Sequence, residues 1–283
     1  MSKPRHIVNI SGGKDSSALA IYLSKREFWR KQLGKTSGPE FESIDAEYVF
    51  CDTQEELPET YDYLKLLEAY LGKAIVRLTD DRGFKHWLQV YGNYLPSPNM
   101  RWCTRQLKLK PFEDFVGDDA VYSYVGIRAD EDRDGYISTR KNIIPIFPFK
   151  EDGIVKNDVI RILNESGAGL PSYYKWRTRS GCYFCFFQRK VEWVGLMEEH
   201  PDLYEKAKEF EKINEATGQR FTWSQSESLE ELAQPERVLQ IKSNHAKAMK
   251  SEGARRQNRP LVEVLAEVLD AEDDDQACNI CHI

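Results

Sequence analysis

The run His6-Ile7-Val8-Asn9-Ile10-Ser11-Gly12-Gly13-Lys14-Asp15-Ser16-Ser17 decides the fold. It opens as a short apolar strand-like segment, breaks at Ser-Gly-Gly, and continues with Ala18, Leu19, Ile21, Tyr22 and Leu23 at helical spacing, so it reads strand, loop, helix. Glycines at such a turn let the backbone fold so that amide N–H groups converge on an anion at a helix N-terminus. Lys14 and the hydroxyls of Ser11, Ser16 and Ser17 add charge and donors. The Walker spacing G-x-x-x-x-G-K-[ST] is absent, which argues against cleavage between the β- and γ-phosphates by a P-loop ATPase.

The same grammar repeats downstream. Ala46 to Cys51 is strand-like, Asp52-Thr53 turns the chain, and Tyr61, Leu64, Leu66, Leu67 and Tyr70 form a helical stripe between Pro58 and Leu71. Ala74 to Leu78 and Val121 to Ile127 are the next strand candidates, the second ending in the charged loop Arg128 to Arg133. Strands alternating with helices predict an α/β fold with a doubly wound, mostly parallel sheet and ligands at the carboxyl ends of its strands. Beyond about residue 160 the pattern turns helical, interrupted by the aromatic and cysteine-bearing stretch Pro171 to Gln188, with Pro201 opening a further helix and Leu261 to Leu269 an amphipathic signal. The expected organisation is a nucleotide-binding α/β domain over 1–160, a helical region with a C-x-x-C site over 161–270, and an acidic, cysteine-containing tail over 271–283.

Composition bounds the function classes. The 283 residues, 41% hydrophobic and 30% charged, describe a globular chain rather than a fibrous or disordered one. No apolar run approaches the ~20 residues that cross a bilayer, and the N-terminus has no signal-peptide layout, so the cytoplasm is the expected compartment and no membrane partner is expected. There the six cysteines are thiols or ligands rather than structural disulfides. A net charge of -6 gives no global attraction to nucleic acid and leaves room only for a local basic groove.

The glycine loop resembles the PP-loop, which holds the pyrophosphate part of ATP while the α-phosphorus is attacked. Phe50-Cys51-Asp52-Thr53 followed by Glu56-Leu57-Pro58-Glu59-Thr60-Tyr61 resembles the second-strand motif of PAPS reductase-like proteins. Trp102-Cys103-Thr104-Arg105 with Leu107, Lys108 and Pro111 resembles their cysteine-containing segment, and Gly126-Ile127-Arg128 with Glu131 and Arg133 their arginine motif. Taken in order, these motifs make the chain similar to the N-type ATP pyrophosphatase and PAPS reductase group, over roughly residues 6 to 190. The resemblance implies an adenine nucleotide alpha hydrolase-like fold in which Ser11, Gly12, Gly13, Lys14, Asp15, Ser16, Ser17, Asp52, Thr53 and Gly126 surround ATP. It further implies that Asp15 holds Mg²⁺ or positions the loop, that Lys14 stabilises the leaving pyrophosphate, and that Arg128 and Arg133 clamp phosphate or sulfonyl oxygens by bidentate bonds.

Cys182-Tyr183-Phe184-Cys185 is a C-x-x-C, and Cys103 lies near it in related proteins. Three thiolates suit a [4Fe-4S] cluster or zinc, with the fourth position left to Cys278, Cys281, His282, Cys51 or a non-protein ligand. A structural zinc knuckle remains the plain alternative. Cys51, at the end of a buried strand, reads as a small apolar residue. The aromatics and arginines from Tyr173 to Lys190, Arg177 and Arg179 among them, read as core packing for the phenylalanines and nucleic-acid contact for the arginines, and the basic run Arg237 to Arg259 as a candidate second contact surface, with a solvated helix face as the commoner explanation of such a run.

Among proteins with these segments the sequence looks most like the ATP pyrophosphatases of DNA phosphorothioation systems of the Dnd and Ssp type. That resemblance implies adenylyl transfer to an oxyanion, a cysteine desulfurase or other sulfur donor as partner, and DNA rather than tRNA as acceptor, within phage-defence gene sets. The competing readings are a thiol-dependent APS or PAPS reductase releasing sulfite and an ATP-binding accessory protein. Against the reductase, Trp102 and Thr104 flank Cys103 where cluster-bearing reductases carry a Cys-Cys pair, and Ala277-Cys278-Asn279-Ile280-Cys281-His282 lacks their Glu and Gly.

Overall fold

The computed structural model describes residues 3–35, 44–132, 140–213, 220–224 and 227–252. In chain order the first half runs β1 (Arg5–Asn9), α1 (Lys14–Ser24), α2 (Arg26–Gln32), β2 (Glu47–Cys51), α3 (Pro58–Leu71), β3 (Ile75–Leu78), α4 (Gly83–Val90), α5 (Trp102–Thr104), a π-helical turn (Arg105–Leu109), α6 (Lys110–Val116) and β4 (Val121–Tyr124). The chain continues through β5 (Ile143–Ile146), α7 (Pro148–Glu151), α8 (Lys156–Glu165), a 3-10 turn (Ser172–Lys175), α9 (Lys190–Glu199), α10 (Pro201–Lys208), the short β6 (Lys212–Ile213) and β7 (Arg220–Phe221), α11 (Leu229–Leu232) and α12 (Pro235–Glu252).

Strands β1 to β5 form one parallel sheet in the order β3-β2-β1-β4-β5, the doubly wound α/β arrangement that the alternation of motifs predicts. Successive strand residues serve opposite faces. Val8, Tyr48, Phe50 and Tyr124 pack with Leu19, Tyr22, Leu64, Leu67 and Ile162 on the side of α1, α3 and α8; Ile7, Val49, Cys51, Val121 and Ile143 pack with Phe112 and Val116 of α6 on the other. The order reverses between β1 and β4, and the glycine loop leaves the carboxyl end of β1 there, where a parallel sheet opens a crevice for a ligand.

β5 is absent from the sequence reading because Pro145 interrupts its apolar run; the structure places it at the sheet's edge, where one missing N–H is tolerated. Val121 to Ile127 shortens to four paired residues. Pro201 does open α10, while Leu261 to Leu269 and the tail 271–283 lie outside the described residues. A second core, around Phe184, Trp193, Trp223 and Leu229, also recruits Leu57, Phe84, Leu88, Trp102 and Leu107 from before residue 160. Stacked and edge contacts among Phe84, Phe184, Phe210 and Trp223, with centroids 4.2 to 6.3 Å apart, knit it together. Among the described residues no helix is long and apolar enough to cross a membrane.

Gly195 lets α9 press against Trp176 at the entrance to the cysteine-bearing stretch: a Cβ there would stand 2.7 Å from Trp176 Cε3 and 3.1 Å from its Cβ. Ala is the better helix former by ~1 kcal/mol, yet overpacking against a rigid indole costs about 1–3 kcal/mol. Gly195→Ala is therefore expected to lower stability by ~1 kcal/mol; denaturant unfolding checks it, and an unchanged midpoint would show that Trp176 yields freely.

Candidate nucleotide and cysteine site

The loop between β1 and α1 is built by exclusion of side chains. Gly12 adopts φ 73°, in the left-handed region, and a Cβ on it would lie 2.7 Å from Thr60 Cγ2 in the first turn of α3. A Cβ on Gly13, the residue preceding α1, would lie 2.7 Å from Ser180 Oγ. On the far side, a Cβ on Gly126 after β4 would lie 3.0 Å from the Asp15 carbonyl oxygen. Three distant segments thus press on one loop at the sheet's switch point.

Hydroxyls organise its interior. Ser16 Oγ donates to the Gly13 carbonyl at 3.2 Å and accepts from the Ser11 amide at 3.0 Å, with Ser11 Oγ also 3.0 Å away. Ser180 Oγ donates to Ser11 Oγ at 3.1 Å. Tyr173 Oη donates to the Gly12 carbonyl at 2.8 Å, and the Lys14 amide donates to Tyr174 Oη at 3.0 Å. Ser17 is fully buried beneath the loop.

The charged groups converge on Asp15, which is 6% exposed. Its Oδ2 lies 3.1 Å from Lys14 Nζ and its Oδ1 2.8 Å from Arg128 Nη1. Arg128 also reaches Glu131 at 2.8 Å and Asp130 at 2.9 Å. Burial works against the Arg128 charge, but Asp15 and then Glu131 and Asp130 outweigh it and raise the guanidinium above its usual value. Two cations thus face three carboxylates, a set that does not on its own attract a polyphosphate. Arg133 lies outside the described residues.

Asp52 and Thr53 sit at the carboxyl end of β2. Asp52 Oδ1 accepts from the Gln54 amide and Tyr61 Oη, each at 2.8 Å, which fixes the turn. Thr53 faces the cysteines: its Oγ1 donates to Glu56 Oε1 at 3.0 Å and lies 3.1 Å from Cys182 Sγ. The backbones also meet, in an antiparallel bridge of Glu56 with Cys182 and a Tyr183 amide to Glu55 carbonyl bond of 2.9 Å.

Cys182 Sγ is 3.8 Å from Glu56 Oε1. Burial, reinforced by Glu56, pushes the Cys182 thiol well above the ordinary cysteine value, and burial raises Glu56 as well. Cys103, in α5, packs with Cys182 against the Phe84 and Phe184 core. Among the described residues no three His, Cys, Asp or Glu side chains gather in a way that could hold a metal ion. The expected set Cys103, Cys182 and Cys185 forms no such group; the Cys182 sulfur contacts Thr53 and Glu56. Cys278, Cys281 and His282 lie outside the described residues. Cys51 donates to the Lys108 carbonyl at 3.4 Å, and burial pushes its thiol up to about 12, in keeping with its reading as a small apolar residue.

One expectation is corrected. Arg177 does not face nucleic acid: it is 1% exposed, and its guanidinium donates to the carbonyls of Gly181 at 3.0 Å and Cys182 at 2.9 Å, fastening the cysteine turn. Tyr174, Ser180 and Glu56 are parts of the site that sequence reasoning assigned no role. Only the placement of Glu56 in the Asp-Thr motif and of the two tyrosines beside the C-x-x-C hinted at them.

A family model described as the phosphoadenosine phosphosulfate reductase domain matches residues 5–152, which include the glycine loop, Asp52-Thr53, Trp102 to Arg105 and Arg128. The chain belongs to that family. Two curated relatives of this PAPS reductase-like chain are uncharacterized proteins. One, from Methanocaldococcus jannaschii, is 27% identical over 70% of this chain and 45% of its own length; the other, from Escherichia phage 186, is 24% identical over 76% of this chain and 77% of its own length. The chain thus spans less than half of the archaeal relative. Solved structures that resemble it are the phosphoadenylyl-sulfate reductase of Candida auris in a phosphate complex, with TM-score 0.45, 16% identity and coverage of 65% of this chain and 84% of that one, and the U34-tRNA thiolase of Methanococcus maripaludis with its [4Fe-4S] cluster, with TM-score 0.39, 12% identity and coverage of 73% and 70%. The cysteine turn at Cys182–Cys185 falls outside the part of the chain matched by the PAPS reductase model.

The tight contact at Gly126 yields a test of the geometry. Gly126→Ala must push Asp15 or β4 aside, costing about 1–3 kcal/mol of stability, and should weaken the Asp15–Arg128 pair. Thermal unfolding with a parallel pyrophosphate titration checks both; wild-type behaviour in each would show that the strand end and the loop are not rigidly abutted.

Proposed function

We propose that this member of the PAPS reductase-like family is an ATP pyrophosphatase that adenylylates an acceptor oxyanion, a DNA backbone phosphate, to prepare it for sulfur insertion. The observation that carries the reading is the buried Asp15 paired with the half-buried Lys14 and Arg128 at the N-terminus of α1, beside a loop whose glycines have no room for side chains. Backbone donors and a helix N-terminus suit a pyrophosphate group.

In the proposed step the acceptor oxygen attacks the α-phosphorus of ATP. The bond from that phosphorus to the bridging oxygen breaks, and pyrophosphate leaves with the electron pair. Lys14 stabilises the charge that develops on it, while Asp15 holds Lys14 and Arg128 in place; the work is positional and electrostatic. Because three carboxylates outnumber the two cations, a divalent cation with the nucleotide offsets the repulsion, and carboxylate oxygens suit Mg²⁺. A sulfur nucleophile supplied by a cysteine desulfurase or another donor then displaces AMP from the activated acceptor. A [4Fe-4S] cluster or zinc on Cys103, Cys182 and Cys185 is not part of this scheme, since the described residues do not gather to hold one. DNA is favoured over tRNA by the sequence resemblance to phosphorothioation enzymes.

The matched family model supports a second reading, thiol-dependent reduction of a sulfonucleotide with release of sulfite. The products separate the two. Incubated with Mg-ATP, a sulfur donor and DNA, the protein is expected to release pyrophosphate. Lys14→Ala should reduce that release by at least two to three orders of magnitude, as loss of a transition-state charge contact does, while leaving the fold unchanged by circular dichroism. Sulfite release from a sulfonucleotide without pyrophosphate would replace the first reading by the second.

A further inference from the structure

One stretch of the second half rests on the loop and occupies the Lys14 amide, a donor that an anion would need. Tyr174 Oη accepts the Lys14 amide proton at 3.0 Å, and Ser180 Oγ donates to Ser11 Oγ at 3.1 Å. The Tyr174 ring lies 5.6 Å from Lys14 Nζ, and Tyr173 Oη bonds the Gly12 carbonyl at 2.8 Å. Amides in the first turn of a helix have no partner within the helix and are the donors an anion uses. Each amide carries one proton, so Lys14 N–H cannot serve Tyr174 and a phosphate oxygen at full strength together.

The stretch is stiff. The Tyr173 and Tyr174 rings stack at 4.9 Å, the amides of Trp176 and Arg177 return to the Tyr173 carbonyl at 3.1 and 2.9 Å, and Arg177 grips the carbonyls of Gly181 and Cys182. Gly181 then turns the chain at φ 140°, a conformation that favours glycine. Motion at Tyr174 or Ser180 is therefore passed to Cys182, whose sulfur rests on Thr53.

We infer that residues 173–180 are an internal plug of the anion site: the Tyr174 hydroxyl stands in for an anion oxygen while Ser180 ties the stretch to Ser11, a pyrophosphate group displaces Tyr174, and the shift frees Cys182 from Thr53 and Glu56. The inference rests on the reading of the loop as a pyrophosphate site. It couples the two regions, because the cysteine turn opens only after the nucleotide is seated.

The test uses the full chain and magnesium pyrophosphate as probe. Calorimetric titration compares wild type with Tyr174→Phe, and with Ser180→Ala in case the first variant folds poorly; iodoacetamide labelling of Cys182, read by peptide mass spectrometry, is followed with and without the probe. Removing a hydrogen bond that holds the stretch on the loop should tighten pyrophosphate binding about five-fold, and saturation of wild type should speed Cys182 labelling several-fold, with the variants already labelled faster before the probe is added. Binding that is unchanged or weaker in the folded variants, or Cys182 labelling that is unmoved or slowed at saturation, overturns the plug. Wild type that binds no pyrophosphate fails earlier and removes the anion-site reading along with it.

Discussion

The structure depends on a steric constraint: the loop from Ser11 to Asp15 has three other chain segments pressed against it. Thr60 from the start of α3 closes one flank, Ser180 another, and Gly126 at the end of β4 abuts the Asp15 peptide. A methyl group at Gly12 or Gly13 would meet side-chain atoms at 2.7 Å, closer than Cβ contacts allow, and one at Gly126 would meet the Asp15 carbonyl oxygen at a tight 3.0 Å. Satisfying all three contacts requires β1 and β4 to be neighbours, α3 to start beside the loop, and the second half to fold back over it. The sheet order with its reversal at β1 and β4 meets the first requirement, and the shared aromatic core brings in the last.

Within that frame the charges are arranged for placement rather than for net attraction. A buried carboxylate left alone costs several kcal/mol, and Asp15 avoids this by bridging Lys14 and Arg128. The lysine is thereby fixed at the helix N-terminus instead of sampling its rotamers, a cost in entropy met during folding rather than at the moment of reaction. Glu131 and Asp130 hold Arg128 in turn.

The cysteine turn follows the opposite logic. Cys182 is surrounded by Thr53, the buried Glu56 and the backbone clamp of Arg177, surroundings that keep a thiol protonated and a loop still. Arg177 on the Cys182 carbonyl and Tyr173 on the Gly12 carbonyl join the cysteine turn and the glycine loop in a single continuous set of hydrogen bonds.

The sequence by itself determined the local grammar. Short apolar runs mark β1 to β4, the Ser-Gly-Gly turn places the helix N-terminus, and the resemblance of their motifs singles out Asp15 and Arg128. These are short-range properties, set by backbone sterics and by which side chains avoid water, so they are written in neighbouring residues. The tertiary structure decided what no neighbour encodes: that β5 pairs despite Pro145 because it lies at an edge, that Arg177 is buried on carbonyls instead of facing solvent, and that Cys182 meets Glu56 across 126 residues. It also decided that Tyr174 closes on Lys14 across 160 residues. Such contacts arise only when separate helices and strands compete for the same volume, and their outcome depends on the whole packed core rather than on any local pattern.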